Sequence, residues 1–492
     1  MGVRRAFVWA SAGRYLVMVI NLGAMLALAR LLTPGDFGIT VLGSSVMLVA
    51  EALRALGGGM YLVQKPDLQL EDIRACFSVS LLATLFVAGM VLLMAPTLSH
   101  LFGVAELIPY LRVSAIGYLA GPFSYPIGAL LGRNLRFSAL ATITVIQALI
   151  GAVVSVTLAF AGFRYMSFAW GLSASTVVAM LLYLAYWRQP GMFRPRIRGW
   201  RSVLSFGLYD SASALIGQMV DAAPYLIFGR FFDTATVGLG QRAINLCSVT
   251  DRVILSGVGA VALPAFAQQV RDGQPLRASY LRALALLTAA QWPCLTLLAV
   301  LAEPIVRVLL GPQWLAAIPL MRILSGALLF SFPMTLNYAL MVAIGAIRFL
   351  PPMFALMGVV SVGVVYWTAH YDLTAAAWGA WIIMPFNCLV VLLVGRQLAG
   401  FRLRELATTL APSGLVTLLA VAGPLAIALV YRSSSIGPAG CLLALLSAAL
   451  GWLLGLRWTR HPLRDELLRA VSALGDRRAN RLLRPATWLL GA

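Results

Sequence analysis

Charge is what this chain has least of. Of its 492 residues 11% are charged and 61% are hydrophobic, where a soluble globular domain carries about 25% charged residues. No polar block is long enough to fold separately as a soluble domain. The five cysteines, Cys76, Cys247, Cys294, Cys388 and Cys441, stand singly in apolar segments, which excludes a disulfide framework and any cysteine metal-ligand spacing. Histidine is scarcer still: His100, His370 and His461 are scattered, and no His-Glu-x-x-His pair is present. A Gly-rich phosphate loop ending in Lys-Ser or Lys-Thr is also missing, so the chain lacks the residues of a nucleotide hydrolase, and no cofactor or metal is expected. Acidic residues number 17 against 37 basic ones, a net charge of +20. The basic residues lie between apolar segments without interleaved aromatics, which argues against a nucleic-acid partner and for a membrane topology signal.

Long apolar runs fill the rest. A helix needs roughly 20 apolar residues to cross a hydrocarbon core of about 30 Å. Such runs occur near 11–32, 37–63, 75–98, 107–131, 138–162 and 165–187, then near 203–228, 236–263, 281–302, 315–345, 349–369 and 374–395, with two more near 406–431 and 436–456. The expected fold is therefore all-α, a polytopic membrane protein of about 14 transmembrane helices. Its parts are a six-helix lobe over 1–187, a basic connector over 188–202, a second six-helix lobe over 203–400, two further helices over 401–456 and a basic amphipathic tail over 457–492. Arg4 and Arg5 before an apolar run, with small residues Ala27 and Ala29, give the start the outline of a signal peptide. The length of the run and its interruption by Arg14 and Asn21 favour an uncleaved first helix.

Charge bias supports this count. With the amino terminus in the cytoplasm, the outer side receives Arg30, Arg164, Arg230, Arg307 and Arg432, and the remaining loop arginines fall inside with Lys65. One miscounted span would invert every later loop, so both termini are expected to be cytoplasmic. In the tail, Leu463, Leu467, Val471 and Leu474 share one helical face, as in a helix resting on the membrane surface.

The stretch "ARLLTPGDFGI" at 29–39 returns in outline as "GRFFDTATVGL" at 229–239, with Arg30/Arg230 and Gly38/Gly238 identical. Glu51 and Gly57 match Asp251 and Gly257 at the same offset of 200. Pro96 and Gly103 match Pro304 and Gly311 at 208, Pro109 and Arg112 match Pro319 and Arg322 at 210, and Arg136 matches Arg348 at 212. Six spans separate matching points, an even number, so the repeat is parallel rather than inverted.

Ionisable residues at membrane depth cost roughly 2.5–3.5 kcal/mol each on insertion scales and mark cavities or ion pairs. The seventh span carries Asp210, Gln218 and Asp221, with the two aspartates on one face about 16 Å apart. In the eighth, Arg242, Asn245 and Arg252 share a face, with Asp251 beside Arg252. The second has Glu51 and Arg54 at i, i+3, and the first has Arg14 and Asn21, seven residues apart on one face. These four spans are expected to line a central cavity, with Arg14, Asn21, Gln218, Arg242, Asn245 and Arg252 facing substrate. Arginine forks suit a phosphate-bearing anion, and Glu51, Asp210, Asp221 and Asp251 are the candidates for proton or sodium coupling. The structural alternative is that these charges pair between helices, the reading preferred for Arg112 and Arg322 near span ends.

"ARLLTPGDFGI", "LVQKPDLQLEDIRACF" at 62–77, "LRFSALATI" at 135–143 and "LAEPIVRVLLGPQWLAAIPLMRIL" at 301–324 resemble the polysaccharide transporter (Wzx-type) family of the MOP flippase superfamily, over residues 10 to 400. "DTATVGLGQRA" departs from that pattern. The resemblance implies two MATE-like lobes, alternating access, and movement of a polyprenyl-pyrophosphate-linked oligosaccharide across the bacterial inner membrane. A polysaccharide polymerase and export machinery are the partners it implies. A multidrug antiporter of the same architecture, a lipid II flippase and a membrane-embedded glycan-assembly enzyme are the alternatives.

Overall fold

A computed structural model describes residues 3–54, 59–187, 189–196, 199–430 and 437–473, and all secondary structure among them is helical. The chain forms two compact units, Met1–Gly238 and Leu239–Ala492. The first holds α1 (Val3–Leu31), α2 (Pro34–Arg54), α3 (Gly59–Gln64), α4 (Leu70–Phe102), α5 (Leu107–Tyr118), α6 (Gly121–Arg133), α7 (Phe137–Phe160), α8 (Met166–Tyr186), α9 (Trp200–Phe231) and the first turn of α10 (Thr234–Arg271). The second holds the rest of α10, α11 (Arg277–Val300), α12 (Ala302–Ile305), α13 (Ile318–Ala327), α14 (Pro333–Ala343) and α15 (Leu350–Thr368). It continues through α16 (Leu373–Ala399), α17 (Leu403–Val430) and α18 (Pro438–Trp458) to α19 (Pro462–Ala473).

Helices stand at each of the expected spans, and among the described residues ten segments are long and apolar enough to cross a membrane. The expected span near 107–131 is two helices, α5 and α6, joined at Leu119–Ala120. Pro122 sits in the first turn of α6, where its missing N–H costs nothing but where a continuous helix could not accept its ring. Pro333 opens α14 in the same way, after a 3-10 turn over Leu328–Ser331.

In the first unit Cys76, Ile127, Leu131, Ile143 and Met192 are fully or almost fully buried in one apolar cluster joining α4, α6 and α7. In the second, Tyr280, Leu284, Leu336 and Phe401 do the same for α11, α14 and the turn before α17. Elsewhere large apolar side chains point outward, among them Phe86, Leu93, Val359 and Leu418, a surface that only lipid could solvate.

The basic connector is tied down where it is described. Arg74 Nε donates to the Gly191 carbonyl at 2.8 Å, the Arg196 amide donates to Ser78 Oγ at 2.7 Å, and the Arg196 guanidinium meets Glu71 at 2.7 Å. Met192 is buried and Phe193 stacks edge-on against Phe77. The segment is therefore a strap on α4.

Helix α19 uses its apolar face within the protein: Leu463 and Leu467 pack with Trp452 and Leu456, and Glu466 pairs with Arg282 at 2.8 Å. The same periodicity that suggested a membrane-resting helix thus serves docking onto α11 and α18. Leu474 and the residues after it lie outside the described part. At the turn before α19, buried His461 accepts the Leu463 amide on Nδ1 at 3.1 Å, and its Nε2 lies 3.1 Å from Ser413 Oγ.

Candidate functional site

The repeated turn that opens α2 and α10 is built from capping chemistry. Thr33 Oγ1 donates to Asp36 Oδ2 at 2.7 Å while the Asp36 amide donates back to Thr33 Oγ1 at 3.2 Å, a reciprocal N-terminal cap. Asp36 is buried and also meets Arg164 Nε at 3.3 Å. In the second copy Asp233 Oδ1 accepts the Thr236 amide at 3.2 Å. A Cβ on Gly38 would overlap the Thr234 carbonyl oxygen, and one on Gly238 would overlap the Pro34 carbonyl oxygen. Position 38 meets 234 and position 34 meets 238, so the two copies touch through equivalent residues.

Helix α9 packs on α2 where Leu42, almost fully buried, fills the place a side chain at Gly229 would need. Ala222 and Phe228 are buried, whereas Asp221 is exposed and Gln218 half-buried. Asp210, Asp251 and Arg252 lie in α9 and α10, and their side chains fall outside the described part. Glu51 of α2 accepts a hydrogen bond from Tyr125 Oη at 3.2 Å, a partner on α6 that no spacing rule on α2 reveals. Arg54's side chain is outside the described part.

Arg14 and Asn21 are exposed on α1. Arg242 differs. It is 5% exposed, in a stretch where Ala243, Leu246 and Cys247 are also buried, and its guanidinium lies 5.6 Å from the centre of the Trp314 ring, itself fully buried. Asn245 is half-buried in the same stretch. Helical arithmetic on α10 grouped Arg242 with Asn245 but contained no sign of Trp314, seventy-two residues on. Of the end-of-span arginines, Arg322 lies 4.0 Å from Glu303, which also holds Arg307 at 3.0 Å.

Thr144, Gln147, Ser155 and Ser175 were also not singled out by sequence. They join Asn21 around a cleft of about 390 Å³ between α1, α7 and α8. A scan for charges at membrane depth passes over hydroxyls and amides in otherwise apolar helices.

Comparison with known proteins matches residues 27–319 to the family model described as "Polysaccharide biosynthesis protein". The succinoglycan biosynthesis transport protein ExoT of Rhizobium meliloti (strain 1021) is 27% identical over 61% of this chain and 60% of its own length. The teichuronic acid biosynthesis protein TuaB of Bacillus subtilis (strain 168) is 21% identical over 64% of this chain and 66% of its own. This chain thus spans less than two thirds of the length of these curated relatives. Among solved structures, lipid II flippase MurJ in an inward closed conformation superposes with a TM-score of 0.74 at 11% identity, covering 92% of this chain and 99% of that one. An inward-facing MATE family multidrug resistance transporter of the MOP superfamily gives 0.60 at 18% identity, covering 82% and 99%. At those identities the likeness speaks to fold alone. With the family model matching more than half of the residues, the chain belongs to the polysaccharide biosynthesis protein family and is an all-helical, multi-pass membrane protein with a MurJ- and MATE-like fold.

Proposed function

We propose that the protein is a flippase that moves a polyprenyl-pyrophosphate-linked oligosaccharide repeat unit across the bacterial inner membrane by alternating access, for surface or exopolysaccharide biosynthesis. The observation that carries this reading is the family match over residues 27–319, together with relatives named for succinoglycan transport and for teichuronic acid biosynthesis. In this reading the chain is a transporter and not an enzyme. Both termini are cytoplasmic, the lobes run over 1–187 and 203–400, and a polymerase and export machinery take the product onward. Arg14, Asn21, Gln218, Asn245 and Arg252 contact substrate, with Arg14 and Arg252 holding the pyrophosphate, while Arg242 is buried against Trp314. Glu51, Asp210, Asp221 and Asp251 are the positions for coupling to protons or sodium.

Exposed Arg14 and Asp221 fit such roles because neither is consumed by packing. A guanidinium stays charged at any relevant pH and grips phosphate oxygens in pairs, so it supplies affinity without titrating. A carboxylate at membrane depth exchanges its charge with protonation, so it supplies the coupling.

The test is mass spectrometry of polyprenyl-linked glycans in host membranes with the protein deleted and restored, using spheroplasts to assign the leaflet. A pyrophosphate-linked repeat unit accumulating on the cytoplasmic face, and cleared on restoration, supports the proposal. An unchanged lipid pool in a strain lacking other flippases of this family sinks it.

A further inference from the structure

The cleft between α1, α7 and α8 has a composition that the charged positions do not explain. Its twelve lining residues include no charged side chain, yet Asn21, Thr144, Gln147, Ser155 and Ser175 all border it. The helices run side by side: a Cβ on Gly13 of α1 would lie 3.0 Å from Ala141 Cβ of α7, and Asn21 and Gln147 follow two turns further along each. Ten residues separate Asn21 from the end of α1 and Gln147 from the start of α7, about 15 Å in each case, which is mid-bilayer depth.

The hydroxyls are partly occupied, Thr144 Oγ1 donating to Leu140 O at 2.7 Å and Ser175 Oγ to Leu172 O at 2.7 Å. Among the described residues, the amides of Asn21 and Gln147 have no hydrogen-bond partner. An amide left unpaired in hydrocarbon costs several kcal/mol, so this cleft holds water or ligand rather than lipid chains. Small residues bring α7 and α8 together beside it: Gly171 admits Ser155 Oγ where a side chain would stand, and Ala148, Gly151 and Ala152 are small. The volume of about 390 Å³ lies in the range of small-molecule sites.

Without a carboxylate or guanidinium the cleft can neither carry a proton nor grip a phosphate. Amides and hydroxyls present donors and acceptors side by side, the complement of a neutral polyhydroxylated ring, and Phe168 adds an apolar wall. We propose that this cleft is a subsite for an uncharged sugar ring of the transported glycan, with Asn21 and Gln147 as its specificity-determining residues. The inference rests on the flippase reading and adds a division of labour, in which sugar and pyrophosphate are held by different residues.

The test uses the full chain in nanodiscs and two probes: the lipid-linked oligosaccharide extracted from the deletion strain, and polyprenyl pyrophosphate without sugar. Asn21→Leu and Gln147→Leu are each expected to weaken binding of the glycosylated lipid about five-fold, the worth of about one hydrogen bond, and to leave the sugarless lipid unchanged. Equal losses for both probes, or no loss for either, overturn the subsite while leaving the flippase reading intact. Failure of the wild-type protein to bind the glycosylated lipid overturns both. As a measurement that survives loss of affinity, Gln147→Cys in a chain with its native cysteines replaced should be shielded from maleimide by the glycosylated lipid only. Labelling that neither lipid slows would show a water-filled cleft and no sugar site.

Discussion

Gly38 and Gly238, identical residues in the two copies of the repeat, bring the starts of α2 and α10 into backbone contact. A Cβ on Gly238 would overlap the Pro34 carbonyl and lie 3.1 Å from the Gly38 amide nitrogen, while one on Gly38 would overlap the Thr234 carbonyl. The contact is reciprocal, as expected where duplicated segments meet about a local two-fold. Small residues let helix backbones approach in a membrane, where packing rather than hydrophobicity drives association.

Gly38→Ala and Gly238→Ala are accordingly expected to destabilise the protein by about 1–3 kcal/mol each, since the overlapping atoms are backbone and cannot rotate away. Gly89→Ala, at a helical position with open space around it, should be neutral or stabilising by up to about 1 kcal/mol. Thermal unfolding in detergent checks the contrast, and equal effects at all three positions would contradict the contact.

Arg242 and Trp314 should be energetically coupled. A cation over an aromatic face in a desolvated setting contributes roughly 2 kcal/mol, so a double-mutant cycle with Arg242→Met and Trp314→Leu is expected to show a coupling of at least about 1 kcal/mol. Additive losses would mean that the two side chains are neighbours without interacting.

His461 makes stability depend on pH. Its Nδ1 accepts the Leu463 amide, so the ring proton sits on Nε2 facing Ser413, and a second proton would set two donors against each other. Burial lowers its pKa below the ordinary histidine value. Above pH of about 6.5 folded and unfolded forms are both neutral and the contribution is complete. Below it the unfolded chain takes up a proton that the native ring resists, so stability declines as pH falls towards the depressed native pKa. Unfolding temperatures between pH 7.5 and 5 should therefore drop more for wild type than for His461→Gln; parallel curves would rule this out.

The strap over 189–196 is expected to resist protease until Arg74→Ala removes the hydrogen bond to Gly191. Trypsin should then cut after Arg196, since Pro195 blocks the bond after Arg194. In sealed membranes the cut should occur only in inverted vesicles, as the charge bias of the loops requires. Cleavage in intact spheroplasts would invert the topology.

Much of the fold was legible because hydrocarbon leaves few options. An apolar run of membrane length must satisfy its own backbone and so forms a helix, which is why α4, α7, α11 and α16 stand where their sequences place them. Breaks were harder to read: Pro122 and Pro333 start new helices, whereas Pro96, Pro293 and Pro385 lie inside continuous ones. A proline in a first turn removes no helical hydrogen bond and one in the interior removes one, and neighbouring helices decide whether the chain bends or restarts.

The sequence determined by itself that the chain is a multi-pass helical membrane protein, that the turns opening α2 and α10 repeat, and which charges stand within apolar runs. Those are local properties, set by hydropathy, spacing and the cost of burying charge. Tertiary structure decided which of these polar residues are already used. Trp314 covers Arg242, Tyr125 holds Glu51 and Leu463 docks within the protein, while Asn21 and Asp221 stay exposed. Partners brought together from 48 residues away, as at Ser413 and His461, or from 74 away, as at Glu51 and Tyr125, leave no periodic trace, because what joins them is packing and not spacing along the chain.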